Sequence, residues 1–345
     1  GIYSATTSSR DIIDVHYFRY SDTDYIFAAR ENSDDIYYQT IAYIKSNSTW
    51  KTIRPNNLSG YGYTALGSNS SYFFAIRKTS GFVLSTTNPF TTDSVGWSNL
   101  NLSKQDNYIS VATNTGILSV AISSNKIAVF KINGTDTFQY TTITTYTDLS
   151  GCVAYCNDRF IATRKNGSIV YSTNPGATSW ATSDISFING IKSIAQDTEN
   201  NYYIACDSKN IYIASADNLN EWTKVYTETD EYTLTCVCYG NSHYITCGTN
   251  GALMYSTNRT EWTTVELSYS ENFNYVHYNG SSFIAVGNNG IIMISSDGET
   301  WSTQTSGATN KLNTACGNNP HYIVVGDSGT ILYSNGGQEW QTITV

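Results

Sequence analysis

A tryptophan recurs at near-constant spacing along the chain, at Trp50, Trp97, Trp180, Trp222, Trp262, Trp301 and Trp340. A step of 39 residues separates Trp262 from Trp301 and again Trp301 from Trp340. The interval from Trp97 to Trp180 is about twice as long. Midway in it lies TDTFQYTTI, with Phe138 where a tryptophan is expected. A longer phrase travels with the aromatic residue: HYITCGTNGALMYSTNRTEW (243–262), SFIAVGNNGIIMISSDGETW (282–301) and HYIVVGDSGTILYSNGGQEW (321–340). A looser copy, RFIATRKNGSIVYSTNPGATSW, covers 159–180. A fixed period of this size marks a stacked-unit architecture, in which neighbouring units share a continuous core.

Each unit reads as four short strands. In the last one these are LNTACG (312–317), HYIVVG (321–326), TILYS (330–334) and EWQTITV (339–345). The turns between them are NNP, DSG and NGGQ, whose Gly, Asn and Asp supply the positive-φ positions that tight hairpins require. A four-stranded unit of about 40 residues cannot bury both faces alone, but packed radially it can, which is a β-propeller blade. The expected fold is therefore an all-β propeller of eight blades, ending near Trp50, Trp97, Phe138, Trp180, Trp222, Trp262, Trp301 and Trp340. Seven blades is the alternative, if one irregular early repeat forms none. Residues 11–345 form the propeller, and GIYSATTSSR (1–10) is an accessory strand or the tail of a preceding module. Gly and Ala near the ends of the second strands fit crowding between blades. The tryptophans, at the start of the fourth strands, fall between neighbouring blades near the outer rim.

Composition narrows the partners. The net charge is −9, and the Lys and Arg residues form no run. A nucleic-acid surface needs a basic patch, so nucleic acid is disfavoured. No apolar stretch approaches the ~18 residues that a membrane helix needs. The 28 tyrosines suit pleated, half-buried strands and offer rigid contact area with a polar tip. Seven cysteines, most in apolar strand segments, read as small buried hydrophobes. A disulfide of Cys236 or Cys238 with Cys247 is the lesser reading. Folding in a reducing compartment is expected, with the site of action on a virion or outside the cell. The four histidines show no metal-ligand spacing, and GNNG (287–290) is a hairpin turn rather than a phosphate loop, so neither metal nor cofactor is expected.

The turns before the last strand are SSDGETW (295–301), STNRTEW (256–262), STNPGATSW (172–180) and SNGGQEW (334–340). They resemble the Asp-box, or BNR, repeat of sialidase-like propellers, and the propellers of photosystem II assembly factors. SSDGETW is one residue short of the usual box, and Asn174, Asn258 and Asn335 stand where the aspartate would be. In the Asp-box family the box is a structural hairpin remote from the active site, so the resemblance implies the fold. The composition also has a weak likeness to phage tail and receptor-binding proteins.

One position breaks the repeat with charge. The second strands of the later units end in ACD, TCG, AVG and VVG, whereas those of units one, two and four end in AAR, AIR and ATR. Arg30, Arg77 and Arg164 thus share one place, and Glu31, Lys78 and Lys165 follow them. Three guanidiniums there suit a carboxylate or phosphate, because the planar fork donates two parallel hydrogen bonds. The structural alternative is pairing with local acids such as Glu31, Asp34 or Asp35. Tyrosines, among them Tyr37 and Tyr63, cluster in the irregular early units. Units one to four are therefore the expected functional side.

The leading expectation is a non-enzymatic recognition module for a cell-surface glycan or a protein receptor, within a phage or virion tail or fibre or another larger assembly. Its candidate contacts are Arg30, Arg77, Arg164, Lys78, Lys165, Tyr37 and Tyr63. One alternative is a sialidase-like glycoside hydrolase, which resemblance would equip with an Arg triad, a Tyr–Glu nucleophile and an Asp acid/base. No such set can be assigned here, and no pair of carboxylates stands out. The other alternative is an assembly scaffold that docks an acidic protein segment.

Overall fold

The computed structural model describes residues 146, 148–156, 158–174, 180–183, 190–228, 231–268 and 270–342, together with the backbone of twelve strands between 12 and 143. Every sheet among the described residues is a four-stranded antiparallel meander, and there are eight. The first is β1 (Ile12–Tyr20), β2 (Thr23–Arg30), β3 (Ile41–Lys45) and β4 (Lys51–Ile53). The second is β5 (Tyr63–Ser68), β6 (Phe73–Arg77), β7 (Phe82–Thr86) and β8 (Ser98–Asn101). The third is β9 (Tyr108–Thr113), β10 (Ile117–Ile122), β11 (Lys126–Asn133) and β12 (Thr137–Ile143). The fourth is β13 (Leu149–Cys156), β14 (Arg159–Arg164), β15 (Ile169–Ser172) and β16 (Ala181–Thr182). The fifth is β17 (Ser193–Asp197), β18 (Tyr202–Cys206), β19 (Asn210–Ser215) and β20 (Trp222–Thr227). The sixth is β21 (Leu234–Gly240), β22 (His243–Gly248), β23 (Leu253–Ser256) and β24 (Thr263–Thr264). The seventh is β25 (Phe273–Tyr278), β26 (Phe283–Gly287), β27 (Ile292–Ser295) and β28 (Ser302–Gln304). The eighth is β29 (Leu312–Asn318), β30 (His321–Gly326), β31 (Ile331–Asn335) and β32 (Trp340–Thr342).

These sheets are the blades of an all-β propeller. They fall into two compact units, one holding Gly1–Lys165 and Ile169–Ala181, the other Asn166–Ser168 and Thr182–Ile343. Within each unit, the first strands of consecutive sheets pack side by side: β1 on β5, β5 on β9 and β9 on β13 in one, β17 on β21, β21 on β25 and β25 on β29 in the other. The leading segment 1–10 lies outside the described residues. No helix of the described residues is long and apolar enough to cross a membrane.

Burial follows strand order. In the fourth to eighth sheets the second strand is covered on both faces, so it is largely apolar rather than alternating: all five residues of β26 are buried, as are Tyr322–Gly326 of β30. Fully burying one such Ile, Val or Phe contributes about 1.5–3 kcal/mol. The fourth strands of the fourth, sixth, seventh and eighth sheets are short, and their threonines are exposed, as in β24. Short polar edges of this kind resist pairing with other chains. The cores lie in the seams between sheets. One joins Ile284, Val286 and Ile292 of the seventh sheet to Leu312, Val324 and Leu332 of the eighth. Trp262, Trp301 and Trp340 each lie partly buried against such a seam, as the repeat implied.

The glycines ending the second strands serve a different contact from the one expected. A Cβ on Gly248, Gly287 or Gly326 would collide with the backbone carbonyl of Thr233, Asn272 or Lys311, all in the same blade. The crowding lies between the second strand and the chain entering the first, and not between blades. The described cysteines form no disulfide, although Cys236 and Cys247 stand directly opposite each other on β21 and β22. Cys206, Cys236 and Cys247 are buried. Burial pushes all three thiols up, which leaves them unreactive.

Candidate functional site

The register gives the three arginines a common structural address. Arg30 is the Cα partner of Ile12, Arg77 of Tyr63 and Arg164 of Leu149. In each case the pair lies at the end of the second strand, next to a register shift in the first. The same place is held by Gly248 opposite Leu234, Gly287 opposite Phe273 and Gly326 opposite Leu312, again beside a shift. A bulge puts an extra residue in one strand and re-aims the chain locally. The repeat therefore bends at one point in each of these sheets, and the early sheets put a cation where the late ones put a glycine.

Arg164 is the arginine of the three whose side chain is described. Its Nε donates to Asp148 Oδ1 at 2.6 Å, and the guanidinium carbon lies 5.8 Å from the centroid of the Tyr146 ring. Asp148 is doubly held, because its backbone carbonyl accepts the N–H of Lys165 at 2.6 Å. Tyr146 is itself anchored: its hydroxyl donates to the Trp180 carbonyl at 2.6 Å and accepts the Trp180 N–H at 3.0 Å. The pair keeps partial solvent contact, with side-chain exposures of 20% and 25%. A partly exposed pair of this kind is worth on the order of 1 kcal/mol. The counter-ion thus comes from just before the first strand, and not from residues that follow the second. Lys165 is exposed.

Among the other candidates, Tyr63 opens β5 and is the cross-strand partner of Arg77, so two of the proposed contact residues share one register position. Arg30 and Arg77 end β2 and β6. Lys78 and Tyr37 lie outside the described residues, as do Glu31, Asp34 and Asp35.

In the fifth sheet Asp207 occupies the arginine position and is fully buried. Its carboxylate accepts the backbone N–H of Lys209 and of Asn210, each at 2.7 Å, and the hydroxyl of Tyr212 at 3.0 Å. The Asn210 side chain adds a further donor at 2.9 Å. Burial alone raises its proton affinity, but these donors outweigh it and hold the carboxyl below its ordinary range. Asp197, also fully buried, closes the opposite end of the same sheet by accepting Glu199 N–H at 3.0 Å, Asn200 N–H at 2.9 Å and the Tyr244 hydroxyl. Both carboxylates are committed to turns. Among the described residues, no group of three His, Cys, Asp or Glu is arranged to hold a metal ion.

The turns before the fourth strand show why serine and an Asx residue recur there. Asp297 Oδ1 accepts the N–H of Glu299 at 2.9 Å and of Thr300 at 2.8 Å, while Ser295 Oγ accepts Gly298 N–H at 2.7 Å. Asn258 does the same for Thr260 at 3.1 Å and Glu261 at 2.9 Å, which explains the exchange of Asn for Asp. The Trp301 and Trp340 indoles donate to the Gly298 and Gly337 carbonyls at 3.0 and 3.1 Å. The sixth sheet departs from this. Arg259 replaces that glycine at φ 74, and the buried Trp262 Nε1 has no partner. The Arg259 guanidinium carbon lies 4.1 Å from the centroid of the Tyr202 ring of the preceding sheet. This residue was not singled out from the sequence. Its signal was a charged residue at a glycine position of the repeat.

Solved structures of similar fold are propellers. The Dos1 propeller aligns at a TM-score of 0.75 with 11% identity, covering 97% of this chain and 95% of that one. YCF48 from Cyanidioschyzon merolae aligns at 0.60 with 14% identity over 80% of this chain and 95% of its own. A structure of YCF48 bound to D1 peptide aligns at 0.58 with 14% identity over 77% and 89%. Neither a protein-family model nor a curated protein matches the sequence. Identities this low establish the fold alone, and the Asp-box and phage-tail likenesses rest on the short phrases and the composition.

Proposed function

We propose that the protein is a non-catalytic recognition propeller that docks a partner protein at the ends of the second strands in its first four sheets. The observation that carries this reading is the shared register address of Arg30, Arg77 and Arg164, a position held by packing glycines in the last three sheets. A repeat scaffold needs no charge there, and three cations at one address offer donors to an anionic ligand. The peptide-bound YCF48 neighbour is a precedent for this fold presenting a protein segment-binding face. The partner is a protein receptor or a subunit of a larger assembly.

The test is to pan a random 12-residue peptide display library on the immobilised chain, with a glycan array and a released-sugar assay run beside it. Enriched peptides that bind when synthesised support docking. Glycan binding without peptide binding replaces the protein partner by a sugar, and sugar release overturns the non-catalytic reading.

A further inference from the structure

Resting on that docking reading, we infer that the second blade is the part that meets the partner, through Arg77 and Lys78, and that the partner presents a carboxylate-rich segment. The three arginines share an address, but the sequence beside that address differs in charge. Arg164 is neutralised by Asp148, the residue immediately before Leu149, which is the cross-strand partner of Arg164. The residue at the same offset in the first blade is Asp11, immediately before Ile12, the partner of Arg30. In the second blade it is Gly62, immediately before Tyr63, the partner of Arg77. The address that carries an acid in blades one and four carries glycine in blade two.

The surrounding sequence extends this difference. Residues 36–92 contain Lys45, Lys51, Arg54, Arg77 and Lys78 and no Asp or Glu at all. This stretch spans β3 and β4 of the first blade, which carry Lys45 and Lys51, and β5, β6 and β7 of the second, where Arg77 ends β6. It lies in a chain of 28 acids and 19 basic residues. Acids are thus missing from the last two strands of the first blade and the first three of the second, in an otherwise acidic protein. The rest of the molecule repels an anionic segment and this stretch attracts it, which gives orientation as well as affinity. A carboxylate is the ligand of choice, because Arg77 supplies a planar two-donor fork, Lys78 a point charge, and Tyr63 an aromatic with a hydroxyl at the paired position. The five cations are too few and too scattered for a nucleic-acid backbone, where each phosphate contact needs its own.

The experiment is fluorescence anisotropy with labelled (Glu)8, (Gln)8 and an eight-nucleotide single-stranded DNA as probes. The proteins are the wild type and the variants Arg77→Ala, Lys78→Ala, Arg30→Ala and Arg164→Ala. The expected result is saturable binding of (Glu)8 but not (Gln)8, weakened about tenfold or more by Arg77→Ala. Arg77→Lys recovers part of the loss, and Lys78→Ala, Arg30→Ala and Arg164→Ala each weaken binding less than Arg77→Ala does. Equal losses in all three arginine variants overturn the assignment to the second blade. DNA bound as tightly as (Glu)8 overturns the carboxylate. Panned peptides that bind normally to the Arg77→Ala variant sink this inference and leave docking standing. Failure to enrich any peptide sinks the docking reading itself. Arg77→Lys retains the charge and bulk, so it separates loss of the guanidinium from loss of folding.

Discussion

Replacing Gly287 by alanine tests whether the second-strand terminus is a steric bottleneck of each regular blade. The backbone there is extended, with φ −162, so alanine meets no conformational penalty and only its volume is at issue. The added Cβ falls against the Asn272 carbonyl, with the carbonyl carbon at 2.9 Å and Ile291 Cγ2 at 3.0 Å. Carbon atoms prefer about 3.5–4.0 Å, so the strands must part by roughly half an ångström or more. The same carbonyl accepts the Asn288 N–H at 2.9 Å, and that bond weakens when it moves. Overpacking of this kind costs about 1–3 kcal/mol and a strained hydrogen bond up to about 1 more. The smaller unfolded-state entropy of alanine returns about 0.4–1 kcal/mol. The expected net loss centres on about 2 kcal/mol, read as a lower urea midpoint at unchanged slope by tryptophan fluorescence. A loss below about 0.5 kcal/mol refutes the reasoning, since the bulge would then be able to open freely.

Three further outcomes follow from the same geometry. Asp148→Asn and Arg164→Gln each lower stability by about 1 kcal/mol, and a double-mutant cycle gives a coupling that shrinks in high salt. Arg259→Ala keeps the left-handed backbone and loses the stack on Tyr202, costing about 1–2 kcal/mol by urea unfolding. Arg259→Gly relieves that strain and frees the turn to satisfy Trp262 Nε1, and so stays within about 0.5 kcal/mol of the parent. Burial holds the His277 imidazole below its ordinary 6.5, against a backbone hydrogen bond at Gly317, and its Nε2 is buried without a partner. The unfolded chain therefore binds a proton that the folded one refuses. Stability is full above about pH 6.5 and falls as pH drops below it toward the lowered folded value. His277→Gln flattens the profile in that range, and an unchanged profile refutes the assignment.

Tryptophan spacing, the Asx–Gly turns and the apolar second strands are local properties, and they made the blades legible residue by residue. HYIVVG was read as a strand over 321–326, and β30 is His321–Gly326. Turn chemistry also explained Asn258 in place of Asp, since either side-chain oxygen accepts the same backbone N–H groups. The arginine address was visible as a break in the repeat, because a repeat makes any departure conspicuous.

What surrounds each departure was not visible. The Asp148 carboxylate that neutralises Arg164 lies 16 residues away and meets it only because of the strand register. The collision that demands glycine at 248, 287 and 326 arises from a backbone carbonyl, which carries no side-chain signal. The stack of Arg259 on Tyr202 joins two different blades. Periodicity along the chain determines which residues form a blade and which face is buried, because those depend on near neighbours. Counter-ions, bulges and seams depend on which atoms the packed sheets bring together, and only the tertiary structure decides that.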